Sequence, residues 1–259
     1  MRSAEKKRRR EVAGKGVRDR RDIAAVDDAA PDGRRRRLFG PLGWLWRLLV
    51  PAVAALALLL GAGAALPAPS TLMLWRWITG AEVTRSWVPI ERISPELVRA
   101  VIASEDQNFC RHRGVDLGAL REAIEDEAGT GRGGSTISMQ TVKNVYLWHG
   151  RSYVRKAIEL PLAMAADAVW SKRRMMELYL NVAEFGEGLF GAEAAARHYF
   201  GKEAATLNRR EAAALAASLP NPALRNPAAG SRRAGANSFR IVSRMGGLGD
   251  RADCVLKAG

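Results

Sequence analysis

Cysteine is almost missing from this 259-residue chain: only Cys110 and Cys254 occur, far apart in sequence. Two such residues make no disulfide framework, and both are read as free thiols. Alternating, β-branched runs are nearly absent too, which leaves helical patterns to dominate. No internal repeat is apparent. Histidine occurs three times. Neither His112 nor His149 has metal-ligand spacing around it, so no zinc motif exists. From Thr71 onward there is no S-x-x-K and no K-T-G, which removes serine-acylase chemistry. Hydrophobic residues at 47% and charged residues at 26% are ordinary, so wholesale disorder and collagen-like architectures are excluded.

Charge is the unusual property. Lys and Arg number 41 against 27 Asp and Glu, a formal net charge of +14. A basic balance suits nucleic acid, anionic lipid or a phosphorylated substrate, and the placement of the charge chooses among them. Met1 to Arg47 holds 15 Lys and Arg against 7 Asp and Glu, so it carries +8 of the surplus. Runs such as Lys6 to Arg10 and Arg34 to Arg37 bury too little apolar surface to fold. Residues 1–47 are therefore read as a disordered basic tail.

Leu48 to Pro69 then carries no charge at all. About 20 apolar residues at 1.5 Å each cover a hydrocarbon core of roughly 30 Å. A cleaved secretory signal is the alternative, but the run is long for a signal core and its basic leader is extended. Residues 48–69 are read as an uncleaved transmembrane anchor, flanked by Trp44, Trp46, Trp75 and Trp77 where interfacial aromatics are expected. The positive-inside tendency keeps the tail in the cytoplasm and exports Thr71 to Gly259. More than half the surplus charge then orients a membrane segment, which argues against a nucleic-acid partner. The exported part keeps +6, which suits a substrate or surface bearing phosphates.

That part is long enough for one domain with a core. Ser94-Pro95-Glu96 is a helix start, with Ser as N-cap and Pro at the first position. Leu97, Val98, Val101 and Ile102 follow at helical spacing. Further helices are expected over Leu117–Glu127, Thr136–Leu147, Val154–Trp170, Lys172–Glu184, Gly191–Tyr199 and Asn208–Ser218. The expectation is a mostly α domain. Pro161 should kink or restart its helix, and the Gly/Arg-rich stretch beyond Pro227 is left unassigned.

Three stretches hold chemistry-bearing side chains. Glu105 continues the apolar face of Leu97 and Val101, and a carboxylate so placed is partly desolvated and suited to proton transfer. The plain alternative is a solvated or Arg-paired carboxylate at a helix end. Gly133-Gly134-Ser135-Thr136 permits a tight turn before a capped helix whose amides attract anions. Thr136, Gln140 and Lys143 then share one helical stripe. The GK[ST] ending of a Walker loop is missing, and a capped amphipathic helix explains the stretch equally well. Arg155, Lys156 and Glu159 form the third group, and an ordinary i,i+4 ion pair would account for it. Glu177 and Asn181 are i,i+4 partners open to the same structural explanation.

In series these stretches resemble a known family. Glu105-Asp106-Gln107-Asn108-Phe109 with His112 and Gly114 is similar to the ED-x-x-F-x-x-H-x-G motif of the peptidoglycan glycosyltransferases. Gly133 to Asn144 (GGSTISMQTVKN) resembles the second motif, and Arg155-Lys156-x-x-Glu159 the third. Glu177 to Asn181, with Gly186, Gly191 and Tyr199 to Lys202, resembles the fourth; Leu215 to Pro222 (LAASLPNP) resembles the fifth. The likeness covers about Pro89 to Pro227 in the family's order. Met139 stands where Gln is common, and Cys110 follows Phe109. The missing acylation motifs point to the monofunctional branch, with residues 71–227 as the glycosyltransferase domain and 228–259 as a C-terminal tail of unknown role.

The resemblance implies a mostly α, two-lobed, lysozyme-like fold whose smaller lobe is membrane-associated. It implies a lipid-pyrophosphate-linked glycan donor and lipid II as acceptor. Glu105 would be the base on the acceptor 4-hydroxyl and Glu159 a second catalytic carboxylate. Asp106, Phe109, Ser135, Thr136, Gln140, Lys143, Asn144, Arg155 and Lys156 would bind substrate. No cofactor is required, no metal-ligand set is visible, and a divalent cation at the pyrophosphate is left open. Partners would be the lipid-linked substrates, the bacterial inner membrane, and cell-wall synthesis or division proteins. A glycan-cleaving lytic enzyme and an inactive membrane-anchored scaffold are the competing readings.

Overall fold

Helix starts in this chain are set by short polar side chains. In the computed structural model, which describes residues 41–125, 134–150, 152–222, 224–228 and 232–257, six helices open on a Ser, Thr or Asn cap, Ser70 at the Thr71–Ile78 helix among them. The Ser94 hydroxyl accepts from the Glu96 amide at the start of α3 (Pro95–Glu105). The Thr136 hydroxyl accepts from Met139 N to open α5 (Ile137–Tyr146). Ser152 and Ser171 do the same for α6 (Tyr153–Val169) and α7 (Lys172–Val182). Asn208 forms a reciprocal capping box with Glu211 at α9 (Arg209–Ser218). Each cap satisfies an amide that the helix cannot bond internally and is worth about 1 kcal/mol.

The remaining elements are α1 (Pro41–Ala65), α2 (Thr71–Ile78), α4 (Leu117–Glu125), α8 (Ala192–Phe200), α10 (Arg232–Gly246) and α11 (Asp253–Leu256). Short strands β1 (Thr84–Arg85), β2 (Glu184–Gly186) and β3 (Leu189–Phe190) form one small sheet. Its order is β1-β3-β2, with β1 parallel and β2 antiparallel to β3. The architecture is mostly α, as expected. Residues 1–40 of the basic tail, Gly133 and the last positions of the helix expected over Leu117–Glu127 lie outside the described residues. The restart expected at Pro161 does not occur, because α6 runs through it unbroken.

Two compact units divide the chain, Met1–Ala55 and Leu56–Gly259. The described part of the first is helical, with exposed apolar side chains such as Trp44, Trp46 and Leu49. Gly43–Ala65 is long and apolar enough to cross a membrane, with mean hydropathy 2.3. In the second unit the last turns of α1 are hydrogen-bonded to the domain. Trp170 Nε1 donates to Leu60 O at 2.7 Å, Tyr146 OH to Leu59 O at 2.8 Å, and Arg174 Nη2 to Leu66 O at 2.6 Å. Gly63 permits this approach, since a Cβ there would meet Trp170 Cζ2 and the Tyr146 hydroxyl at 2.5 Å. An Arg at the C-terminal carbonyls also meets the negative end of the helix dipole.

The core of the second unit gathers Leu97, Ile102, Phe109, Met139, Met176 and Tyr179, all fully buried. α9 packs against α3 and α10, while α5 lies against α6 and α7. The stretch left unassigned beyond Pro227 is part of this core. Ile241, Met245, Leu248, Ala252 and Val255 are all buried at helical spacing. Their packing brings the C-terminus back to the loop after α3.

That return overturns the reading of two free thiols. Cys110 and Cys254 are disulfide-bonded, with Cα atoms 5.7 Å apart across a sequence separation of 144. Sequence distance hid a closeness that only the return of α10 and α11 creates. Arg111–Asp250 and Arg173 Nη1 to Val255 O add polar contacts around the bridge.

Candidate active site

Glu105 is the last residue of α3, where the helix ends on Asp106. Its carboxylate accepts from Gln140 Nε2 on α5 at 2.9 Å. Burial lifts its pKa above the ordinary carboxylate range, and the near charge of Asp106 adds to this. The Gln140 hydrogen bond and the charges of Lys143 and Arg225 work the other way without cancelling it. A carboxylate so placed is a stronger base than one in water.

One turn beyond Gln140, Lys143 sits between two acidic groups. Burial is the largest influence and lowers its pKa; Glu159 and Glu105 raise it, and Arg155 and Lys156 lower it. Across from α5, α6 presents Arg155, Lys156 and Glu159. Arg155 Nη1 lies 2.7 Å from Glu159 Oε1, and Lys156 Nζ lies 3.6 Å from Oε2. Lys156 also donates to Ser135 Oγ at 2.6 Å. Glu159 is only 3% exposed, and its charge acts on Arg155, Lys156 and Lys143. Such a buried carboxylate holds two cationic side chains in fixed positions, as an anion-receiving surface requires.

A recess of about 560 Å³ of empty space opens beside these groups. Gln140, Lys143, Asn144, His149, Tyr179 and Glu184 are among its lining residues. Burial lowers the pKa of His149, helped by Lys143 and Arg155, so the imidazole there favours its neutral form. Among the described residues no three His, Cys, Asp or Glu side chains gather to hold a metal ion.

Three residues expected to touch substrate have partners within the frame. Asp106 accepts from Ile137 N at 2.9 Å and pairs with His112 Nε2 at 2.8 Å, tying the end of α3 to the start of α5. Thr136 spends its hydroxyl on the α5 cap and on Gly114 O at 2.6 Å. Phe109 is fully buried with Lys172 Nζ 4.7 Å above its ring. Glu177 and Asn181 follow the structural explanation: Glu177 accepts from Ile90 N, and Asn181 clamps Val88 through both its N–H and C=O. The chain therefore brings together Glu105, Gln140 and Lys143, and beside them Ser135, Arg155, Lys156 and Glu159, with Lys143 coupled to both carboxylates.

Two residues near Glu105 have no role assigned to them from the sequence. Arg225, three positions past the LPNP stretch, contributes positive charge at Glu105. Tyr179 OH donates to Gln140 Oε1 at 3.3 Å from the fully buried floor of the site. Tyr179 could have been found, since it lies between Glu177 and Asn181 in a stretch already singled out.

Fold and site together define a helical domain that pairs a desolvated carboxylate with a fixed cationic surface, behind one apolar helix. The family model described as Transglycosylase matches residues 73–246. Curated relatives called biosynthetic peptidoglycan transglycosylase align with the chain at high identity. One from Rhodopseudomonas palustris (strain HaA2) is 53% identical over 193 residues, covering 72% of this chain and 84% of that protein. One from Rhizobium meliloti (strain 1021) is 55% identical over 183 residues, covering 69% and 78%. A third, from Jannaschia sp. (strain CCS1), is 47% identical over 223 residues, covering 82% and 89%. The chain belongs to the transglycosylase family. The matched segment includes all of α10, beyond the Pro227 limit drawn from the motifs.

Proposed function

We propose that the chain is a membrane-anchored peptidoglycan transglycosylase that polymerises lipid II into β-1,4-linked glycan strands. The names of its relatives support the peptidoglycan substrate class. The observation that carries the mechanism is Glu105, a carboxylate whose affinity for a proton is raised by burial within reach of a cationic surface.

The acceptor's 4-hydroxyl needs a base at neutral pH, and Glu105 takes its proton as the oxygen attacks the donor's anomeric carbon. The bond from that carbon to the lipid pyrophosphate breaks, inverting the centre and releasing polyprenyl pyrophosphate. Pyrophosphate leaves as a stable anion, so it needs positive charge more than a proton. Lys143, Arg155 and Lys156 supply that charge where it develops, and Glu159 holds the last two in position. The carboxylates near this surface are engaged by Arg155, Lys156 and Arg76, so the donor set does not fit a resident metal. No step is routed through one.

The disulfide supports placing the domain outside the cytoplasm, because such bonds persist in oxidising compartments. The basic residues before α1 support a cytoplasmic N-terminus by the positive-inside tendency. Tethering to the inner membrane concentrates the domain with substrates that carry lipid tails.

The deciding experiment is extension of labelled lipid II by the full-length protein, resolved on gels beside Glu105→Gln. Wild type is expected to build long, muramidase-sensitive chains, and the variant to lose about 10²–10⁴-fold in rate. Shortening of preformed glycan with no extension of lipid II would establish the lytic reading instead.

A further inference from the structure

Among the described residues, Glu105 receives its one side-chain hydrogen bond from an amide that could present either of its two ends. A Gln side chain is nearly symmetric in shape, and only its partners determine whether oxygen or nitrogen faces the carboxylate. At Gln140 both ends are engaged: Nε2 donates to Glu105 Oε2 at 2.9 Å, and Oε1 accepts from Tyr179 OH at 3.3 Å. The phenol is fully buried in the core on α7, so its oxygen has a single place to be.

We propose that Tyr179 is a positioning residue for glycosyl transfer: its hydroxyl biases the Gln140 amide toward presenting its N–H end to Glu105. The proposal rests on the assignment of Glu105 as the base.

A flipped amide would turn its oxygen onto the carboxylate, and that geometry favours a protonated Glu105. A protonated carboxyl cannot accept the acceptor's proton. Tyr179 therefore biases the base toward its ionised, working form without touching substrate. Burial, together with the charges of Glu105 and Asp106, raises the phenol's pKa well above its ordinary value, so it stays a donor across the working range. The other groups facing Glu105 are Lys143 from α5, Arg225 from the segment after α9, and neighbouring Asp106. None of them contacts the oxygen end of Gln140 in place of Tyr179.

The test compares pH profiles of kcat/KM for lipid II polymerisation in wild type, Tyr179→Phe, Gln140→Leu and the double variant, with Tm measured for each. Phe keeps the buried ring and removes only the hydroxyl. Loss of one neutral hydrogen bond is expected to move the acid limb upward by roughly 0.5–1 pH unit. On the acid side of the wild-type limb Tyr179→Phe should then be about three- to tenfold slower than wild type, and the two rates should converge on the alkaline side. Because Tyr179 acts through Gln140, the hydroxyl's removal in the Gln140→Leu background should add no further shift.

A uniform loss at every pH, or a further shift in the double variant, overturns the proposal. If Tyr179→Phe does not fold, 3-fluorotyrosine at position 179 keeps the shape and makes a stronger donor. The limb must then move downward, and an unmoved limb is a refutation. Failure of the base assignment looks different: Glu105→Gln would keep activity with an unchanged acid limb.

Discussion

Burial of Glu105 has a thermodynamic side as well as a catalytic one. Its folded pKa is raised, so as pH climbs the unfolded chain gives up this proton first. Stability present below the unfolded value is lost as pH rises through the folded one, and the deficit persists above both. Glu105→Gln removes that deficit. The variant is expected to melt a few degrees higher than wild type near pH 7, about 2–4 °C for each kcal/mol recovered, and at the same temperature near pH 4. Calorimetry at the two pH values checks this, and equal melting at both would show that the folded site carries no such strain. Residues at this scale were partly legible in the sequence. Glu105 sat on an apolar face and was singled out for that reason. Asp106 and Phe109 share its motif and Thr136 lies in the next, but a motif does not say which partners each side chain takes inside the fold. Those partners emerge only from the fold itself: a cation over a ring, a cap, a histidine.

At the scale of elements, the capped helices followed from their polar starts and apolar spacing, because both signals are local. The C-terminal stretch was not legible as part of the domain. Ile241, Met245 and Leu248 have helical spacing, yet Gly and Arg dilute the pattern and the surface they cover belongs to α3 and α9, distant in sequence. Cutting the chain after Pro227 should therefore leave the core open. Burying a large apolar side chain contributes about 1.5–3 kcal/mol, so losing several approaches the whole stability of a typical domain. The truncated protein is expected to aggregate or to lack a cooperative melt by circular dichroism. Replacing both Cys110 and Cys254 with Ser is a milder change. It should cost about 2–5 kcal/mol by constraint of the unfolded chain, read as a lower denaturant midpoint with the fold retained. Gly114 marks another non-local demand: its φ is +81° and a Cβ would lie 2.5 Å from Ala163 O, so α6 packs against bare backbone there.

For the whole molecule, the charge-free run was visible in the sequence, but its end was not. The helix stops at Ala65 before Pro67, and its final turns serve as hydrogen-bond acceptors for Tyr146, Trp170 and Arg174. Removing residues 1–70 deprives these three donors of their partners and uncovers the site of buried Leu60. The shortened protein should melt lower than the full chain, keep measurable polymerisation in detergent, and lose efficiency in lipid vesicles. Equal rates for the two proteins in vesicles would show that the anchor contributes nothing to substrate capture.

The bond between Cys110 and Cys254 makes a covalent ring of everything from the loop after α3 to the last helix. A protease that cuts this ring once opens it without releasing a fragment. The nicked protein gains one water in mass, migrates as a single species on a non-reducing gel, and separates into two pieces only when a thiol reductant is added. Glu105 lies outside the ring, while Gln140, Lys143, Arg155, Lys156 and Glu159 lie within it. A single cut between positions 110 and 254 therefore leaves Glu105 and the cationic side chains on one molecule.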